Sequence, residues 1–415
     1  DLIVSLRNDS NQRRWEELDD FSTSWNVDID MPVDFGFERL DTMFRVGLND
    51  VAKERESSIR RFSFFSRGPV GSDIDTLRLP TPDDILTTSN IVPNGWQLEE
   101  VTNATDAYTG SQSVDAWYFG IDLDAPEFFR FSTGMRFEQS ALDVSTFTFS
   151  DPDNAIITEQ NTDDSFPYAT FTWLPGNSQV RGGFSETINR PDFKELSPSE
   201  FRDPLLDRIV RGNPNLVPAY ITSYDLRWDY YFNPSDFVSL GVFLKEFENP
   251  IETVILASAG DQLTTFDNAQ TAENFGVELE LYKTLGMLDR WWGWGEYWDM
   301  VYINTNYAWI DSEITLADDD ATIQTSDNRP LQGQSPYVFN FQVGYDDPER
   351  GINAALLYNV SGARIVEVGV QGAPDIYEEP RPSLDLIYSQ NFGNWTFKGA
   401  LKNILNPAIE LTQGP

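Results

Sequence analysis

The sequence predicts an all-β chain folded as an antiparallel up-and-down sheet, and three observations lead there. Apolar and polar side chains alternate every second residue in many short segments, as a half-buried strand requires. Gly, Pro, Asn, Asp and Ser cluster between those segments. Apolar residues never form the uninterrupted run of about 18 that a membrane-crossing helix needs. The 415 residues are 40% hydrophobic and 14% aromatic, with 12 Trp, 16 Tyr and 29 Phe. That is too apolar for a solvated polymer despite a formal charge of −38. By length alone the chain is up to roughly three domains or one large β domain.

In chain order, Leu40, Phe44, Val46 and Leu48 oppose Asp41, Arg45 and Asn49. Segments 117–122, 129–138, 169–173 and 179–185 read as strands. Tyr224, Leu226, Trp228 and Tyr230 then oppose Asp225, Arg227 and Asp229, and Val238, Leu240, Val242 and Leu244 oppose Ser239, Gly241 and Lys245. Phe275, Val277, Leu279 and Leu281 oppose Glu278, Glu280 and Tyr282. After segment 300–309, Tyr337, Phe339, Phe341, Val343 and Tyr345 oppose Asn340, Gln342 and Asp346. Segments 353–360, 383–388 and 395–401 complete about fifteen strand candidates. Helical signal is sparse, and residues 1–20 are ambiguous. A turn falls at 346–351 (Asp-Asp-Pro-Glu-Arg-Gly) and an acidic loop around 317–321. Short and long connections alternate, the layout of an outer-membrane barrel with tight turns on one side and long loops on the other.

Aromatic residues bracket the apolar stripes: Tyr224 with Tyr230, Tyr337 with Tyr345, Tyr307 with Trp309. Amphipathic rings settle in this way at a lipid–water boundary. A soluble β protein that fills its core with aromatics shows the same periodicity, so composition leaves both readings open. No repeat of roughly 40–50 residues is present, as a propeller would require.

With no His and no Cys, the chain has no Ser-His-Asp triad, imidazole metal site, thiol nucleophile, zinc ribbon or disulfide. Its 67 acids against 29 scattered bases leave no basic stripe for nucleic acid. The first residues, Asp-Leu-Ile-Val-Ser-Leu-Arg, lack the features of a signal peptide, so the chain is expected to start as mature or truncated material.

The most specific motif is the stretch 181–198, containing Thr187, Arg190, Pro191, Phe193, Glu195, Leu196 and Pro198, followed by Gly212, Asn213, Pro214 and Leu216. Further on come 243–251, then 274–280 with Gly276 and Glu278, then 330–337 with Gly333 and Ser335. Segments 358–362, 376–378 and 402–406, the last with Asn403, follow. Singly these are turn and strand chemistry, because Arg-Pro and Asn-Pro fix φ and remove a donor. In this order they resemble the barrel of TonB-dependent outer-membrane receptors, well from residue 134 onward and more weakly over 25–65.

The resemblance implies a transmembrane antiparallel barrel of 22 strands, more than the roughly fifteen visible here. It implies energised uptake of a scarce nutrient such as a siderophore or oligosaccharide, with outer-membrane lipid around the barrel. TonB, with ExbB and ExbD, would act through a plug; no catalysis and no cofactor are implied. Residues 1–415 would be part of the barrel. Neither a plug nor a coupling box is found, and the final Thr-Gln-Gly-Pro is not the usual aromatic ending, so an incomplete chain is expected. Without His there is no imidazole for haem iron. The net charge repels anionic cargo, although local Arg clusters overcome that within a Debye length of about 8 Å. Trp291, Trp292, Trp294 and Trp298 are candidates for stacking on sugars or flat ligands, or else for an aromatic girdle. Asp318, Asp319 and Asp320 are candidate Ca²⁺ ligands, though a solvated loop explains them as well. The alternatives are a passive porin or surface-structural barrel, and a soluble all-β glycoside hydrolase with two carboxylates about 5–9.5 Å apart.

Overall fold

The computed structural model describes residues 12–37, 39–67, 82–148, 151–203, 208–256, 263–293, 295–316, 325–326, 328–370 and 372–414. Its main body is one fifteen-stranded sheet. The path runs through β1 (Gln12–Val33), β2 (Asp41–Ser66), β4 (Ala107–Ala125), β5 (Phe129–Thr148), β6 (Asp151–Trp173) and β7 (Ser178–Asn189), with β3 (Trp96–Glu100) on the flank of β2. It continues through β10 (Ala219–Tyr231), β11 (Phe237–Glu248), β14 (Thr271–Thr284), β15 (Val301–Thr315), β16 (Tyr337–Asp347), β17 (Ile352–Ser361), β20 (Ser383–Phe392) and β21 (Trp395–Leu401). Every step is antiparallel and between neighbours in the chain order of the path, so the sheet is up-and-down. Among the described residues β1 and β21 are not paired with each other.

Register explains why the two faces differ. Side chains directly opposite across antiparallel strands share a face. Trp173, Val180, Trp228, Leu240, Leu279, Tyr307 and Phe339 succeed one another across the sheet in one continuous row. One residue along, Asp229, Ser239, Glu280, Asn306, Asn340 and Asn359 form a row on the other face. Burial is inverted relative to a soluble protein: Trp228, Leu240 and Leu279 are 41%, 45% and 49% exposed, whereas Asp229 and Ser239 are 1% exposed. Among the described residues no second protein layer covers the apolar face of this row, so a contiguous oily surface needs an apolar solvent.

Tight turns at 126–128, 174–177, 232–236 and 348–351 close one end of the sheet. At 348–351, where the sequence predicts a turn, Arg350 donates its N–H to Asp347 Oδ1 at 2.9 Å. Gly351 there takes φ +64°, a conformation open to glycine without strain. The other end carries the long connections, which fold into two small sheets. One orders β12 (Ile251–Leu256), β13 (Leu263–Asn268), β9 (Arg208–Arg211) and β8 (Glu200–Asp203); the other joins β18 (Arg364–Glu367), β19 (Ile376–Glu378) and β22 (Leu411–Gln413). Among the described residues the wall has fourteen strands along its path with β3 beside them, short of the 22 that the resemblance implies for a whole barrel, and the loop strands are not part of it.

Of the ambiguous residues 1–20, those from 12 onward are strand, continuous with the rest of β1, and 1–11 lie outside the described residues. β1, β2, β4, β5 and β6 are 22, 26, 19, 20 and 23 residues long, against the 9–11 residues or so needed to cross a bilayer. Half of each rises past the apolar belt. There the outward positions carry carboxylates, Glu54 and Glu56 on β2, Asp143 on β5 facing Glu159 on β6, and the apolar alternation disappears.

Candidate functional site: inner wall and loop crown

The polar face is a wired surface. Asp229 is held by Arg181 at 2.7 Å, Arg227 at 2.8 Å and the Ser239 hydroxyl at 2.5 Å, and Arg227 also reaches Glu280 at 2.7 Å. Asn340 donates to Asn306 Oδ1 at 2.6 Å and accepts from Asn359, an amide ladder over three strands. Glycines on this face let large rings lie on the backbone. A Cβ at Gly276 would come within 2.3 Å of the Phe243 ring, its cross-strand partner, which is why the 274–280 motif has Gly there. Glu278, two residues on, stands exposed on the same face opposite Gly241.

The 187–216 motif is brought together by the one-turn helix Phe193–Leu196. Asp192 caps it through its carboxylate, accepting from Lys194 N at 3.0 Å, while Glu195 accepts from Asp192 N at 2.9 Å. Burial pushes the Glu195 carboxyl above its ordinary range, partly offset by that backbone hydrogen bond. Phe193 and Leu196 pack with Leu216 onto Tyr108, Leu142 and Val144 of the tall β4–β5 wall. Gly212 lies on the helix's end: a Cβ would sit 2.1 Å from Ser197 O and 2.6 Å from Lys194 O. Asn213 bonds Glu195 O through its N–H at 2.6 Å and Phe266 O through its side chain at 2.9 Å. Pro214 continues the same turn. Arg190, 13% exposed in its side chain, pairs with Glu138 at 2.9 Å and Asp164 at 3.2 Å, and Arg136 joins Glu138 at 2.6 Å.

A cavity of about 510 Å³ opens beside this cluster, lined by Lys53, Arg55, Arg136 and Arg190 together with Asp20, Glu138, Asp192, Pro191 and Phe193. Four cations meet here in a chain of net charge −38. They face the carboxylates of Asp20, Glu138 and Asp192 in the same lining, and Arg55 pairs with Asp20 and Asp192 at 2.5 and 2.6 Å, so the inner wall under the loops carries a network of ion pairs here.

Sequence reasoning missed the crown's central tie. Glu252 of β12 and Arg329, from the connection before β16, form a bidentate ion pair at 2.8 and 2.7 Å with side chains 1% and 2% exposed. Gln332 N–H adds a bond to Glu252 Oε1 at 3.0 Å, and the Gln332 side chain bonds Thr253 N, Thr253 O and Val366 O. Gly333, with φ +79°, donates to Ile365 O at 2.8 Å, and Ser335 is buried beside it in the chain. Three connections from three hairpins are locked together here. The signal available in sequence was the 330–337 motif, whose Gln has no place in a lipid-facing strand. Asn403 is apart from this crown: it takes φ +53° and its N–H bonds Asp385 Oδ1 at 2.7 Å, a turn after β21.

Trp291, Trp292 and Trp298 are not among the long connections. They sit in the β14–β15 link with the short helix Met287–Trp292, at the tight-turn end. Trp294, Asp318, Asp319 and Asp320 lie outside the described residues.

An antiparallel wall, apolar outside, charged inside and crowned by interlocked loops, is the architecture of a transmembrane barrel rather than of a sandwich or an enzyme cleft. Residues 4–404 match the family described as TonB dependent receptor-like, beta-barrel, and the chain belongs to that family. It is a family of outer-membrane receptors of Gram-negative bacteria. Among solved structures the fold is similar to the unliganded ferric citrate transporter FecA, with TM-score 0.63 and 12% identity over 96% of this chain and 52% of that one. It is similar to the siderophore receptor PiuA from Acinetobacter baumannii, with TM-score 0.63 and 13% identity over 96% and 55%. The copper transporter OprC gives 0.60 and 12% over 95% and 52%. The chain thus spans about half the length of these structures, and at such identities the likeness is one of fold. No curated protein matches it by sequence.

Proposed function

We propose that this chain is the wall and loop crown of an active-transport receptor in the outer membrane of a Gram-negative bacterium. Such a receptor binds a scarce nutrient at its loops and lumen and imports it with energy delivered by TonB, driven by ExbB and ExbD, through a plug. The observation that carries the reading is the inverted burial of the sheet, in a chain belonging to this family. Residues 1–415 are then part of a barrel, and in the membrane the edges of β1 and β21, unpaired among the described residues, have to be closed by strand pairing, since each unpaired backbone group in hydrocarbon costs several kcal/mol. No bond in the nutrient is made or broken.

The cavity lined by Lys53, Arg55, Arg136 and Arg190 together with Asp20, Glu138 and Asp192 offers donors and acceptors of both signs to a polar nutrient or chelate, against the long-range repulsion of an anion by the whole chain. Ferric siderophores and metal chelates, the cargo named for the fold neighbours, are the first class to test, with oligosaccharides second. The experiment is uptake of labelled ferric chelates and oligosaccharides by cells expressing the protein, with and without an uncoupler of the proton gradient. Accumulation that the uncoupler abolishes supports the reading. Equilibration indifferent to the uncoupler indicates a passive porin, and hydrolysis of an oligosaccharide indicates an enzyme.

A further inference from the structure

We propose that the open edge of β6 above the apolar belt, residues 157–165, is a docking site for an extended, basic segment of a separate polypeptide, which adds to the sheet as a further strand. β6 is 23 residues long and pairs with β5 along most of that length, but it meets β7 in only six residue pairs, from Tyr168 opposite Ser185 to Trp173 opposite Val180. Pro167 is where the second pairing stops. Leu174 N–H bonds Phe128 O, and Tyr168 O accepts from the Thr133 hydroxyl of β5 at 2.9 Å, so even-numbered residues of β6 turn their backbone groups toward β5 and odd-numbered ones turn away. Pro167 thus has no N–H to offer Glu186, the residue next in register on β7. Beyond it, Ser165, Asp163, Asn161, Glu159 and Ile157 turn N–H and C=O groups to a side where no strand meets them among the described residues. All five are exposed. Such a row is about 30 Å of template for another chain.

The groove beside the edge identifies the occupant. Tyr220 belongs to the outward series of β10 and Asp164 to the inward series of β6, yet the Tyr220 hydroxyl bonds Asp164 at 2.9 Å. The top of β6 therefore passes outside the top of β10, and its edge overhangs the outer face of the wall. Inward side chains of β6 hold the 190–216 connection beneath it, Asp164 and Thr162 through Arg190 and Gln160 through Leu216 O, which leaves the edge itself clear. The step between the two encloses about 650 Å³, with Ser165 and Phe166 on one side. Glu186, Glu246, Glu248, Glu273 and Glu313 line the rest of it, and neither Lys nor Arg is in the lining. Glu246 stands directly opposite Glu273, and Glu273 directly opposite Glu313, pairings that like charges destabilise. A strand laid along β6 sends alternate side chains onto this acidic floor, so Lys or Arg at every second position relieves the repulsion while the backbone completes the ladder. An anionic headgroup is repelled here, and a bare cation leaves the N–H row unmet.

This docking goes beyond the transport reading, and nutrient uptake neither supports nor contradicts it. The probe is a fluorescein-labelled peptide of alternating Lys and Thr. It is compared with a peptide of alternating Glu and Thr, and with the Lys peptide N-methylated at every second residue, which keeps the charge and removes ladder hydrogen bonds. The full protein is reconstituted in nanodiscs of phosphatidylcholine, whose zwitterionic surface does not attract the probe, and heat-modifiable gel migration confirms the fold. The expected result is saturable binding of the Lys peptide by fluorescence anisotropy, about tenfold or more tighter than its N-methylated form, with slowed hydrogen exchange over 157–165. Asn161→Pro removes one edge donor without touching the β5 ladder and should weaken binding about tenfold. Glu246→Gln/Glu273→Gln should weaken it several-fold and flatten its dependence on salt. Equal binding of the two Lys peptides, a comparison that needs no variant, shows adsorption by charge alone and overturns strand addition. Binding of the Glu peptide as tight as that of the Lys peptide overturns the basic occupant, and no binding to the unaltered protein overturns the site.

Discussion

Replacing Arg329 by Met leaves the Glu252 carboxylate, 1% exposed in its side chain, with the Gln332 N–H as its remaining bonded donor at 3.0 Å. Removing one partner of a buried pair costs about 3–5 kcal/mol, because an uncompensated charge stays in a dry site. That penalty falls on the loop crown and not on the membrane wall, so it appears as local opening. Each 1.4 kcal/mol is about tenfold in an equilibrium constant, so hydrogen exchange over 251–256 and 329–335 should accelerate roughly 10²- to 10³-fold. A crown less stable than this opens outright. The double replacement Glu252→Leu/Arg329→Met removes both charges and keeps apolar volume, and should restore most of the protection. Hydrogen exchange read by mass spectrometry, alongside heat-modifiable migration for the barrel, makes the comparison. If Arg329→Met leaves exchange unchanged, or the double variant is worse than the single, the pair does not hold the crown.

Three further outcomes follow from the same structure. Leu226→Arg, on the apolar face at 52% exposure, should cost about 2–4 kcal/mol near the bilayer midplane, whereas Asp225→Asn one residue away should be close to neutral in folding assays from detergent into vesicles; equal costs would contradict the two-faced wall. Gly276→Ala should destabilise β14 by about 1–3 kcal/mol through collision with the Phe243 ring, and Phe243→Ala in the same chain should recover part of that loss; a double variant as costly as the sum would show that the ring is not the obstacle. Asp236, in the 232–236 turn, is buried, which opposes ionisation, but bonds from Lys283 and from the Thr284 backbone and side chain prevail and hold its carboxyl below the ordinary range. Its contribution to stability is thus present above the ordinary carboxylate range and lost as pH falls through the depressed value. Exchange in this turn should rise only on strong acidification, and Asp236→Asn should remove that dependence.

The membrane-crossing parts of the fold were legible in the sequence because lipid outside and water inside impose period two on every strand. The same logic hid the rest. Above the belt both faces meet water, so Glu54, Glu56, Asp143 and Glu159 occupy outward positions and hydropathy no longer alternates; β1, β2 and β6 were therefore seen only in part or not at all. The loop strands β8, β9, β12 and β13 are 4 to 6 residues long and owe their existence to tertiary pairing, which no local pattern encodes. The motif residues were found, with turn and packing roles: Gly212 is required by the helix carbonyls beneath it and Gly276 by the Phe243 ring. Glu252 was invisible, since one acid among 67 carries no mark of being buried until its partner from a distant connection is placed. The tryptophans of 291–298 were recognisable as a cluster but not as belonging to the tight-turn end. Counting hairpins places them there, because the link from β14 to β15 falls on the same side as 232–236 and 348–351.

The measurement that tests the account most directly is an environment scan of β14. Single Cys residues at positions 275 to 281, each carrying an environment-sensitive fluorophore, are examined in vesicles with acyl-chain quenchers and with aqueous iodide. The account requires 275, 277, 279 and 281 to be quenched from the acyl chains, and 276, 278 and 280 not to be. Loss of that alternation, above all odd positions that neither quencher reaches, would place the apolar face against protein and contradict the barrel wall.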